Sequence, residues 1–283
     1  MDKIYKTLIL DGQVSVTLLQ TTNIINKAID YHKLSPLATA TLGRSMTAGL
    51  FMASTLKNKG DRLSITISGD GVGGKVIVSA DSDLKVRGYI ENPTCSLPLK
   101  ENGKLNVAGA VGKGTMTIVR NMGLKEPYIG TSEIVSGELA EDFSYYYAVS
   151  EQQPTAMALG VKVQNDRCVG GGGIVFQTLP FCSEEAILEI EKLLPEFIDI
   201  SSKIQQYGID GVKEKYFSSY TFNEYLPEYK CVCSEEYILS MLLALGKEEA
   251  YDIINEIGKI EINCEYCDKK YIYLKEDIDK IFN

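Results

Sequence analysis

Four of the chain's seven cysteines fall in two close pairs: KCVCSEE carries Cys231 and Cys233, and NCEYCDKKY carries Cys264 and Cys267, about thirty residues further on. In a reducing compartment such pairs point to metal or redox chemistry rather than to structural disulfides. Four thiolates suit a tetrahedral zinc ion, with C-x-C and C-x-x-C each presenting two sulfurs. Four unrelated core thiols would not come as two pairs. The segment that holds them, residues 230–283, is too short to be secured by core burial alone and calls for a staple. Structural zinc is worth about 10–16 kcal/mol in small domains. Thiolate ligands are also open to oxidants, and each lost sulfur weakens the site, so an all-cysteine centre can act as a switch. Cys95, Cys168 and Cys182 stand singly and read as packing.

The elements around the pairs are legible. Glu235 and Glu236 fall in the first turn of a predicted helix that ends at Gly246, and KEEAYDIINEI gives a second helix ending at Gly258. KIEINCEYCDKKYIYL predicts a strand, a tight turn carrying C-x-x-C, and a second strand, followed by a short helix from Lys275. Lys230, Lys269 and Lys270 lie beside the cysteines and favour thiolate, although a solvated charged surface accounts for them as well.

The rest of the chain predicts an α+β domain with a largely antiparallel sheet and helices, over 1–179. Residues 1–20 alternate like a hairpin about Asp11-Gly12, and NIINKAIDYHK has helical spacing. Ser35-Pro36 predicts an N-cap and first helical position, opening a helix to about Lys57 with Leu37, Leu42, Met46, Leu50 and Ala53 on its apolar face. RLSITISGDGVGGKVIVSADSDLKVRGYI reads as a three-stranded meander. GTMTIVRN and GIVFQTLP give further strands, SGELAEDFSYYYAVSE a helix, and Gly170–Gly173 a turn or bulge. A helical linker is expected over 180–229, broken near Pro195, Gly208 and Gly211, and a small α+β zinc-binding domain over 230–283.

GDGVGGKV matches G-x-G-x-x-G and most of a phosphate-binding loop, but valine stands at 76 where serine or threonine is needed, and a strand follows instead of a helix. It reads as a hairpin turn. His32, the single histidine, leaves no partner for a Ser-His-Asp or Cys-His arrangement and is expected at a helix end on the surface. The net charge of −9, with no basic patch, argues against nucleic acid. LATATLGRSMTAGLFMASTL carries Arg44 and many hydroxyls, so a buried helix is expected rather than a membrane span. MDKIYKTLILDGQ lacks the pattern of a signal peptide, which predicts a cytoplasmic location.

Over almost its full length the sequence resembles the 33 kDa chaperonins, redox-regulated heat-shock holdases. The terminal C-x-C and C-x-x-C carry most of the resemblance, supported by LGRSMTAGLFMASTLK, LSITISGDGVGGKVIVSAD, VRGYIENP and YYYAVSEQQPTAMALGV, the last similar to the family's SEQ-x-P-T helix. The resemblance implies an ATP-independent chaperone without enzymatic activity, inactive while one zinc ion (Zn2+) per chain is held by Cys231, Cys233, Cys264 and Cys267. It further implies that oxidants form Cys231–Cys233 and Cys264–Cys267 disulfides and release the zinc. The terminal module and linker then unfold, and a homodimer holds unfolding client proteins until a foldase chaperone takes them. Phe181, Leu193, Leu194, Phe197 and Ile198 in the linker are candidate client contacts, though none carries a motif and ordinary packing explains each. A thiol-disulfide oxidoreductase and a zinc-ribbon regulatory protein are the alternatives. The first needs C-x-x-C at a helix N-terminus, and the second a basic face.

Overall fold

The computed structural model describes residues 1–282. Two compact units emerge, Met1–Lys230 and Cys231–Asn283. The fold is α+β, as the sequence predicts.

In the larger unit β1 (Lys3–Ile9) and β2 (Val14–Gln20) form the expected hairpin, followed by α1 (Thr22–His32) and α2 (Pro36–Ala53). Ser35 caps α2 by accepting from the Ala38 amide at 3.2 Å, and Pro36 opens it. The meander is β3 (Arg62–Gly69), β4 (Val76–Asp81) and β5 (Lys85–Ile90). After α3 (Val107–Val111) come β6 (Gly114–Asn121), β7 (Tyr128–Glu133), α4 (Ala140–Val149), β8 (Thr155–Gln164) and β9 (Arg167–Thr178). Two antiparallel assemblies result, ordered β1-β2-β9-β8 and β5-β4-β3-β6-β7, each gaining one short strand from further along the chain. Every residue of α2 except Pro36 and Arg44 is buried, because α2 packs on strands of both sheets. Its threonines and serines survive burial by bonding backward along the helix: Thr41 to the Leu37 carbonyl at 2.9 Å, Ser45 to Thr41 at 2.9 Å and Thr47 to Gly43 at 2.8 Å.

Three expectations change. Gly170–Gly173 form no turn but lie inside β9, with the irregularity of register just before them, where Lys162 pairs with Gly170 and Val163 with Cys168. The glycines let helices press on the strand: a Cβ at Gly170 would sit 2.2 Å from the Ser201 carbonyl oxygen, and one at Gly171 2.5 Å from Ile25. The helix expected through AVSEQQPT stops at Val149, and Thr155 opens β8. His32 ends α1 as expected but is half-buried, its Nε2 3.4 Å from the Tyr229 hydroxyl.

Residues beyond β9 cover the other face of the first sheet. α5 (Glu184–Leu193), a 3-10 turn at Leu194–Phe197 and α6 (Ile200–Phe217) bury Ile190, Phe197, Ile200, Ile204, Val212 and Phe217 against Tyr5, Val16, Leu18, Ile174 and Phe176. α6 kinks at Gly208, whose φ of 64° is left-handed, whereas Gly211 continues the helix. Phe181 and Ile198 are exposed, while Phe197 is fully buried. Two short strands end the unit. β10 (Asn223–Tyr225) pairs antiparallel with β1, and β11 (Glu228–Tyr229) pairs parallel with β5, reinforced by Glu228 N–H to Leu84 and Lys230 N–H to Val86 at 3.1 and 2.9 Å.

The smaller unit contains α7 (Glu235–Leu245), α8 (Lys247–Ile257), the β12 (Ile260–Asn263) and β13 (Lys270–Tyr273) hairpin, and α9 (Lys275–Phe282). Its core is Ile238, Leu242, Ala250, Ile254, Ile260, Tyr271, Tyr273 and Ile278. Among the described residues no helix is long and apolar enough to cross a membrane.

Candidate metal centre

Local structure aims each cysteine. Ser234 caps α7 by accepting from the Tyr237 amide at 3.1 Å, and the acidic pair Glu235 and Glu236 follows in the first turn. Cys231 and Cys233 therefore lie in the irregular segment just before the helix. The other pair sits on the turn between β12 and β13. There the Cys264 carbonyl accepts from Cys267 N–H at 3.2 Å and Asp268 N–H at 2.9 Å, and Cys264 N–H closes on Lys269 at 2.9 Å. Asp268 takes a left-handed φ of 55° to complete the turn. C-x-x-C thus occupies a strand-to-strand knuckle and lacks the helix N-terminus of a thiol oxidoreductase.

The four sulfurs all lie within 4.8 Å of one another. The Cys231 and Cys264 sulfurs are 3.5 Å apart, and those of Cys233 and Cys267 3.3 Å. A tetrahedron of sulfurs about 2.3 Å from zinc has edges of about 3.8 Å, so this donor set fits a zinc thiolate centre. Each sulfur is half-buried, and among the described residues no other group of three or more cysteine, histidine or acidic side chains converges in this way. Both of these contacts cross between the motifs, while all four sulfurs stay within 4.8 Å of one another. Distance selects no pairing.

Crowding separates the thiols electrostatically. Burial pushes Cys231 up, and it pushes Cys267 up to about 11. Burial also opposes ionisation of Cys233, but the Tyr271 hydroxyl and then the other three thiols outweigh it and draw Cys233 down to about 7. Metal binding must displace whatever protons the cluster still carries. Cys95 and Cys168 are buried in the larger unit, where desolvation raises both thiols, Cys168 to about 12, and leaves them inert.

The phosphate-loop resemblance dissolves on inspection of its amides. Asp70, Gly71, Val72 and Gly73 N–H groups donate to the carbonyls of Lys113, Val111, Gly109 and Ala110 at 2.9–3.3 Å. A Cβ at Gly69 would lie 1.9 Å from the Val111 oxygen. The loop is a hairpin turn fitted against α3, with no donors left for phosphate. Sequence reasoning missed Tyr271, whose inward position on β13 is signalled only by the alternation in KYIY.

Comparison with known proteins agrees with this architecture. The family model described as Hsp33 protein matches residues 2–273. The chain is 37% identical to the 33 kDa chaperonin of Ruminiclostridium cellulolyticum and 39% identical to that of Clostridium tetani, in each case over 99% of this chain and 97% of the relative. The crystal structure of the 33 kDa chaperonin from Thermotoga maritima superposes with a TM-score of 0.89 at 33% identity, covering 99% of this chain and 97% of that one. The chain therefore belongs to the Hsp33 family.

Proposed function

We propose that the protein is an ATP-independent holdase chaperone governed by a thiol switch in residues 230–283. Its relatives' name, 33 kDa chaperonin, supports the chaperone reading, and the consumed amides of the glycine loop support independence from nucleotide. The observation that carries the switch is the convergence of Cys231, Cys233, Cys264 and Cys267 in a unit with a core of only eight side chains.

In the reduced, inactive state the four cysteines hold one zinc ion, which supplies a crosslink between the C-x-C segment and the β12–β13 knuckle. Oxidation works on the sulfurs alone. Each disulfide takes two electrons from two thiolates, and one hydrogen peroxide accepts them with two protons to give two waters. Formation of Cys231–Cys233 and Cys264–Cys267 uses two peroxides and leaves no thiolate to bridge the two segments. The unit then has too little buried apolar area to stay folded. Unfolding at Cys231 propagates along the chain into β11, held by a two-residue ladder, and onward into the linker of 180–229. Release of α5 and α6 uncovers Phe176, Ile174, Val16 and Leu18 on the sheet, and Phe197 and Phe217 on the linker itself. Such apolar area binds unfolding proteins. The active form is a homodimer in the cytoplasm that passes clients to a foldase chaperone, and the acidity of the chain sets nucleic acid aside as a partner.

The test treats reduced, zinc-loaded protein with peroxide at elevated temperature. It follows zinc with a chromogenic chelator, disulfides by peptide mass mapping, and aggregation of a thermally unfolding client. The expected result is one zinc released per chain, two local disulfides, and client holding that reductant with zinc reverses. Zinc that stays bound, or leaves with no gain in holding, refutes the switch.

A further inference from the structure

Beside the C-terminus of α2 the first sheet carries an open cleft of about 440 Å³, lined by Lys6, Thr7, Leu8, Ser15, Asn223 and Tyr225. A volume of that size lies in the range of small-molecule sites. Strand register explains how the residues meet. Lys6 stands opposite Asn223, Leu8 opposite Ser15, and Tyr225 opposite Ile4, so these side chains share the face of the sheet on which α2 packs.

Of the described residues that line the cleft, Lys6 alone is charged. Its Nζ donates to the Ser54 carbonyl at 2.8 Å and to the Ser54 hydroxyl at 3.3 Å. These bonds anchor the ammonium at the negative end of α2 and leave one of its three N–H donors over. Burial lowers the basicity of Lys6, and no neighbouring charge offsets that. A cation drawn partly out of water without a counter-ion is costly, which makes the cleft receptive to an anion.

Other polar groups on the wall are free to help. The Ser15 hydroxyl, the Asn223 amide and the Tyr225 phenol have no hydrogen-bond partner among the described residues. The Thr7 hydroxyl, in contrast, is taken up by the Thr221 carbonyl at 2.7 Å. Leu8 and Tyr225 are 51% and 42% exposed, so apolar surface flanks the ammonium.

We propose that this cleft binds a small carboxylate with an apolar tail: the carboxylate pairs with the Lys6 ammonium and accepts from Asn223 and Ser15, while the tail lies on Leu8 and Tyr225. Such a ligand touches β1, β2 and β10 at once. β10 is held to β1 through three residue pairs, so an occupant that spans both strands ties β10 to the sheet. The site is separate from the four cysteines and does not depend on how they are read.

The experiment uses reduced full-length protein and three probes: hexanoate, hexylamine with the same tail and the opposite charge, and inorganic phosphate with charge and no tail. Amide NMR shifts locate binding, and hydrogen exchange at Asn223–Tyr225 reads the hold on β10. Hexanoate is expected to shift the amides of Lys6–Leu8, Ser15 and Asn223–Tyr225 and to slow exchange in β10 several-fold, with both other probes at least about tenfold weaker. Lys6→Gln should weaken hexanoate by about tenfold or more, since a charge-assisted hydrogen bond is lost. Asn223 is exposed, so its replacement leaves the core intact. Asn223→Asp sets a carboxylate opposite the ammonium from within the protein, and should abolish hexanoate binding while slowing β10 exchange without any ligand. The proposal is overturned if hexanoate leaves these amides unshifted, if hexylamine or phosphate matches it, or if Asn223→Asp binds hexanoate as wild type does.

Discussion

The two units of the chain are held together by different means. Met1–Lys230 sandwiches a helix buried on nearly every side between two sheets and packs a second helical layer outside one of them, so its stability is spread over many buried apolar side chains. Among its described residues, Cys231–Asn283 has eight core side chains, two of them tyrosines with unsatisfied hydroxyls, and four thiols gathered at one point. Distributed stability fails gradually as contacts are lost, whereas stability concentrated in one chemical crosslink fails all at once. Under the proposed switch, loss of that crosslink would unfold the smaller unit and the linker next to it, while the sheets around α2 keep their packing.

The sharpest way to break the contrast is to remove the crosslink without oxidant. Cys264→Ser, or a strong chelator, is expected to remove most of the 10–16 kcal/mol or so that structural zinc contributes. Limited proteolysis should then cut within 231–282 and the linker 180–229, while the sheet strands and α2 of the larger unit resist. Next in size is Phe197→Ala, which empties a fully buried position between α5 and α6. It should cost about 3–5 kcal/mol of linker attachment in denaturant titrations, and the reduced protein should begin to hold clients. Gly170→Ala drives a methyl into the Ser201 carbonyl and should loosen α6 by about 1–3 kcal/mol, with the same partial activation.

Acid should separate the units in order. Thiolates take up protons first, so the smaller unit is lost at mildly acidic pH. In the larger unit, burial pushes the Glu138 carboxyl up, but Lys100 and Arg44, both paired with it, more than offset this and hold it below 4.5. A lowered folded value means the contribution is full above 4.5 and is lost as pH falls through the folded value. Urea midpoints should fall in that lower window, and Glu138→Gln should flatten the fall. The smallest effect is expected at the lysines. Lys230 and Lys270 pair with Glu228 and Glu261 at 3.7 and 3.6 Å, so neutralising either should change stability by less than about 0.5 kcal/mol and oxidation rate by less than about twofold.

What the sequence disclosed follows the same division. The cysteine cluster was legible because the elements that carry it are local: a knuckle needs only C-x-x-C between two strands, and an N-cap needs only Ser234 before an acidic turn. Ser35-Pro36 and the GDGVGG hairpin were legible for the same reason. The features that escaped depend on distant partners. Gly170–Gly173 look like a turn or bulge; the register does shift beside Gly170, but the glycines themselves run within β9, where α1 and α6 press on them. β8 hides behind a helical stretch, and β11 is strand only because β5 lies beside it. The burial of α2 on all sides required two sheets, where local pattern predicts one apolar face.

Amide hydrogen exchange, read region by region before and after peroxide treatment of the zinc-loaded protein, tests the central claim most directly. The account predicts that 231–282 and the linker helices 184–217 lose protection together, while β2, β3, β4 and α2 keep theirs. Loss of protection confined to 231–282, with α5 and α6 still protected as the protein gains client holding, would contradict it.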